Sequence, residues 1–93
     1  METEENHPEK DHLIKYIKQA IELLAEKNIS DVVILSSYKI NSVLKENFGI
    51  DIKVDKIGRV LSTLAKRNEL KRLNTNIPKY KLNINNITNL KFF

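Results

Sequence analysis

No cysteine occurs in the chain. Disulfide staples, thiolate metal sites and cysteine nucleophiles are therefore excluded, and the core must hold by packing alone or with a partner. No apolar run approaches the roughly 20 residues that a membrane-spanning helix needs. The first ten residues, METEENHPEK, are acidic where a secretory signal would be basic and then apolar. The expected location is the cytoplasm, with no membrane partner. The sequence also lacks a P-loop, a G-x-G-x-x-G run, an H-E-x-x-H pair and a G-x-S-x-G elbow. His7 and His12 stand five apart, which takes them off a common helical face, so no metal site is expected. Asp51 and Asp55 are close in sequence, but turn and capping roles account for them. No catalytic residue, no cofactor and no enzymatic activity is expected.

Acidic residues are scarce in one part of the chain. Residues 1–31 carry four lysines against eight acids, a net of −4, whereas residues 32–93 carry twelve Lys or Arg against four acids, a net of +8. No acid follows Glu69. A small domain with its positive charge segregated in this way suits a polyanionic partner, most often nucleic acid. A lysine-rich solvated surface would give the same totals. With 93 residues, 41% hydrophobic and 30% charged, the chain has room for one compact domain and a modest core.

Residues 1–8 show no apolar periodicity and are expected to fray, with Pro8 suited to a helix start. Over residues 9–27, Leu13, Ile14, Ile17, Ala20, Ile21 and Leu24 recur at steps of three and four. Tyr16, Leu23 and Ala25 widen that apolar arc to roughly 200° at about 100° per residue. A single core-facing stripe needs less. The surplus predicts a homodimer seam on this helix, built from Leu13, Tyr16, Ile17, Ala20, Leu23 and Leu24. Residues 32–35 are a β-branched run that reads either as a short strand or as the approach to the next helix. Ser36 or Ser37 caps a helix over 38–48 that buries Ile40, Val43, Leu44 and Phe48, and Gly49 supplies the left-handed residue past its end. Residues 50–54 form a tight connection, with Asp55 as the cap of a third helix over 56–68. Two strand-like runs, 69–73 and 79–82, flank an Asn- and Pro-rich turn and predict a hairpin. In the tail 83–93, Ile84, Ile87, Leu90 and Phe93 recur every three residues, as a short segment that docks on the domain or swaps onto a partner would require. Leu90 and Phe93 therefore join the candidate dimer contacts.

On a helical wheel, Ile57, Val60, Leu61, Leu64 and Ala65 of the third helix share one arc. Arg59, Ser62, Thr63 and Lys66 lie opposite, with Lys56 and Arg67 at the flank, and no acid interrupts that face. These residue types reach base edges and phosphate oxygens, Arg59 being the best candidate for a guanine contact. Tyr38, Lys39, Asn41, Ser42 and Lys45 form an outer surface on the second helix. Lys71, Arg72, Asn74, Asn76, Lys79 and Lys81 make the hairpin polar and basic.

Helix, possible short strand, helix, turn, helix and basic hairpin is the order of the winged helix-turn-helix family. The chain resembles that family over about residues 10–82, through "SSYKINSVLKENFGI", "VDKIGRVLSTLAKRNEL" and "KRLNTNIPKYKL". The resemblance implies a mainly α fold with a small β-hairpin that binds duplex DNA as a homodimer. The third helix would lie in the major groove, the second would make phosphate contacts, and the hairpin would serve as a wing. Size and the Ile/Asn/Lys bias are similar to DNA-binding proteins of archaeal plasmids and viruses, the small centromere-binding partition proteins among them. That likeness adds a partition adaptor protein as a partner and leaves open a role in transcriptional regulation. Some winged domains bind protein instead, so an interaction module with no DNA site is the alternative.

Overall fold

The computed structural model describes residues 6–92, with side chains from residue 12 onward. Helix α1 spans Asn6–Lys27, starting three residues before the apolar periodicity implies. Pro8 thus falls in the first turn, where a missing N–H costs no intrahelical bond. Ile14, Ile17, Ala20 and Ile21 are buried, while Leu13, Tyr16 and Leu24 pack half-buried on the same core. Ile17 and Ala20, expected at a dimer seam, are instead fully enclosed by the chain's own core. The wide apolar arc is largely used within the domain, because α1 touches a strand and both following helices. Beyond its end, the Asn28 side-chain amide donates to the carbonyls of Ser30 (2.9 Å) and Val32 (2.7 Å), which turns the chain into a strand.

That strand, β1, spans Val32–Ser36, so the β-branched run is a strand and not a helical approach. It pairs antiparallel with β3 (Lys79–Asn83), which pairs on its other edge with the two-residue strand β2 (Lys71–Arg72). The order is β1-β3-β2. Val33 stands opposite Leu82 and Leu35 opposite Tyr80, and all four side chains are buried on the inner face. The hairpin is present, but its first strand is shorter than the run 69–73. Glu69 ends the preceding helix in the left-handed conformation, and the Leu70 N–H folds back to the Ala65 carbonyl at 2.9 Å.

Helices α2 (Ser37–Phe48) and α3 (Val54–Asn68) complete the core. The Lys39 N–H donates to Ser36 Oγ at 3.2 Å, which identifies Ser36 as the cap. Gly49 has φ 65°, and the Ile50 N–H reaches the Leu44 carbonyl at 3.2 Å to close the end of α2. Ile40 and Leu44 are buried and Val43 is half-buried, whereas Phe48, expected inside, is 41% exposed in the last turn. Asp55 is not the cap of α3. Lys53 holds that position without a side-chain bond, and Asp55 sits in the first turn, where its charge opposes the positive helix end. Ile57, Leu61, Leu64 and Ala65 are buried and Val60 is half-buried.

The tail forms a 3₁₀ helix over Ile84–Asn89 and then returns to α3. The Asn68 amide donates to the Lys91 carbonyl (2.9 Å), and the Lys91 N–H donates to Asn68 Oδ1 (2.7 Å). Leu90 packs on the core of its own chain, so the tail docks there. Phe93, the other tail residue expected at a dimer contact, lies outside the described residues.

Gly58 faces the start of α2, but a Cβ there would meet Ser37 Cβ only at 3.9 Å, an ordinary contact. Gly58→Ala should therefore raise stability by about 0.5–1 kcal/mol through helix propensity. The expected readout is a higher urea midpoint with an unchanged slope. A lower midpoint would show that the two helices tolerate no added methyl.

Candidate nucleic-acid interface

Burying one face of α3 leaves the opposite face as a ridge between two grooves. The first groove, about 960 Å³, runs between α3, the start of α2 and the hairpin. Arg59, Ser62, Thr63 and Lys66 all line it, with Arg72 and Asn76 on the hairpin side and Tyr38 at the α2 side. These seven sequence candidates are thus brought together. With α3 starting at Val54, one acid does share this face: Asp55 stands four residues before Arg59 in the first turn, and Glu69 lines the groove at the other end of the helix.

The remaining candidates are dispersed, for reasons visible in the backbone. Arg72 stands opposite Tyr80, so it takes the inner side of the sheet and reaches the groove. Lys71 stands opposite Lys81 and takes the outer side. Lys79 shares the outer side by alternation. Lys71, Lys79, Lys81 and Asn74 do not line the groove. On α2, Asn41 is half-buried and its Oδ1 accepts the Ile52 N–H at 3.3 Å, so it anchors the α2–α3 connection. Ser42 Oγ approaches a Glu46 carboxylate oxygen at 3.5 Å, and Lys45 stands 3.9 Å from Asp51. Lys39 is exposed outside the groove.

The second groove, about 600 Å³, lies between α3, α1, the α2–α3 connection and the tail. Lys56 and Arg67 face this side, and Arg67 donates to the Phe92 carbonyl at 3.1 Å. Part of that guanidinium therefore holds the tail in place. Arg59 and Thr63 line both grooves.

Among the groove residues not anticipated as contacts from sequence are Ser37, Ile77, Pro78 and Tyr80. Ile77 carried a signal, being an apolar residue in a turn too short to bury it, and it is 43% exposed. Among the described residues, no three His, Asp or Glu side chains converge as around a metal ion, and no helix is long and apolar enough to cross a membrane. No family model, curated protein or solved structure matches the chain.

Glu69 is the one described non-glycine residue at positive φ, 56°. A left-handed backbone costs an L-residue about 1–2 kcal/mol. Glu69→Gly should recover about 1 kcal/mol as a raised urea midpoint. Glu69→Gln, which keeps the Cβ, should leave the midpoint near that of the parent. Equal gains from both would trace the effect to charge instead of backbone.

Proposed function

We propose that this chain is a winged helix-turn-helix protein that binds a specific duplex DNA site as a homodimer. It would serve in plasmid partition or transcriptional regulation. The observation that carries the reading is the convergence of Arg59, Ser62, Thr63 and Lys66, on the face of α3 between Asp55 and Glu69, on a groove whose far wall supplies Arg72 and Asn76. The order of elements and the β1-β3-β2 sheet support it, since a hairpin that follows α3 and shares a groove with it is what a wing requires. In this reading α3 enters the major groove, Arg59 pairs with a base edge, and Arg72 neutralises a backbone phosphate. The homodimer uses what α1 leaves uncovered away from the second groove, chiefly half-buried Leu23 and the rim of Leu24.

A protein-interaction module is the second reading, favoured by one observation. Tyr38 is 57% exposed and Ile77 43%, and both line the walls of the first groove, where a protein partner could cover them.

Fluorescence anisotropy with labelled duplexes separates these readings. For DNA binding, log affinity should fall with log salt at a slope near −0.9 per phosphate neutralised. Arg59→Ala should cost about 1–3 kcal/mol on the preferred site and narrow its margin over random duplex. Arg72→Ala should flatten the salt slope by about 0.9, whereas Lys81→Ala, on the outer face of the sheet, should change it less. Absence of salt-sensitive binding at micromolar protein favours the interaction module. A 10.8 kDa monomer at high concentration in sizing chromatography overturns the homodimer.

A further inference from the structure

The second groove differs in chemistry from the first. Its walls are apolar and half-buried: Leu13 and Tyr16 from α1, Ile50 and Ile52 from the connection, Val60 from α3 and Phe92 from the tail. Its rim is cationic. Lys56, Arg59, Thr63 and Arg67 follow one another at steps of three, four and four, which aligns them along one edge of α3. His12 faces them from α1, and no Asp or Glu is among the described lining residues.

We propose that this groove binds a small amphipathic carboxylate, with its apolar body against the six wall residues and its anionic head on the α3 rim. A volume of about 600 Å³ suits a single small molecule. An apolar wall alone would accept any greasy ligand; the rim selects for negative charge. Lys56 is exposed on that rim, and Arg67 spends one nitrogen on Phe92, which leaves other N–H groups of its fork for a second acceptor. Lys56 and Arg59 stand about one helical turn apart, close enough for one carboxylate to reach both with charge-assisted hydrogen bonds, whereas Arg67 lies roughly 16 Å from Lys56 along the helix axis.

Occupancy has a consequence for the first groove, which rests on the proposed DNA reading. Arg59 and Thr63 line both grooves, so a carboxylate that draws Arg59 to the α1 side withdraws it from a base edge. Duplex and small acid then oppose each other, and the coupling is reciprocal.

Decanoate is a suitable probe, titrated into the full ¹⁵N-labelled chain and followed by amide chemical shifts. Saturable shifts clustered at Ile50, Ile52, Val60 and Phe92 are expected. Decanol, which lacks the charge, should bind about tenfold more weakly, as should decanoate to Lys56→Ala, in line with loss of one charge-assisted contact. Shifts scattered over the surface, no saturation at millimolar probe, or equal binding of decanol would overturn the site. An acidic amphipathic peptide that binds there a hundredfold more tightly than decanoate would overturn the small-ligand assignment. Saturating decanoate should weaken duplex binding, and an unchanged duplex affinity overturns the coupling. If the chain binds no duplex under any salt, the DNA reading fails, while the decanoate shifts still decide the site.

Discussion

Burial of Ile57, Leu61, Leu64 and Ala65 fixes the rotation of α3 about its axis, and the character of the whole surface depends on that rotation. Each large apolar side chain contributes about 1.5–3 kcal/mol when fully buried, so turning the helix by even one residue, about 100°, would forfeit most of this. The sheet supplies the opposing wall. Val33, Leu35, Tyr80 and Leu82 cover the inner side of the β1–β3 ladder, and the register that pairs them also sets the parity of the hairpin. Arg72 faces the groove because its partner, Tyr80, faces the core.

That dependence explains which features were legible in the sequence. Ser36, Gly49 and the hairpin were readable because each is specified locally: an oxygen before a helix, a left-handed residue after one, an Asn- and Pro-rich turn between short runs. The arc of α3 was readable because periodicity reports it directly. The division of the hairpin lysines was not, since side-chain parity comes from pairing with β3 and not from the run 69–73 itself. Glu69 gave no signal either. The backbone folds back from α3 into β2 at that point, and tertiary geometry imposes a left-handed residue where the sequence offers no glycine.

The α1 helix shows a different limit. An apolar arc of roughly 200° says that two surfaces are covered, not whose they are. Ile17 and Ala20 are enclosed by the chain itself, in a helix that packs against β1, α2 and α3. The tail adds to the covering. Phe92 lies under the Lys18 ammonium, 5.7 Å from the ring centre, and Asn68 clamps the Lys91 peptide from the end of α3. Thus the last turn of α3 has a structural duty as well as a cationic surface, and Arg67 belongs partly to the former.

The two grooves cannot be independent, for a reason that lies in helical geometry. At about 100° per residue, the outward residues of α3 fall in angular order: Ser62, Asp55 and Lys66, then Arg59 and Thr63, then Lys56, Arg67 and Val60. The first three line only the groove beside the hairpin, the last three line only the groove beside α1, and the middle pair lines both. A helix is about 10–12 Å wide with its side chains, too narrow for the crest of an exposed ridge to belong to one flank alone. Whatever fills either groove must therefore share Arg59 with whatever fills the other. Sequence places Arg59 at the centre of the basic face; the fold makes it the boundary between two surfaces.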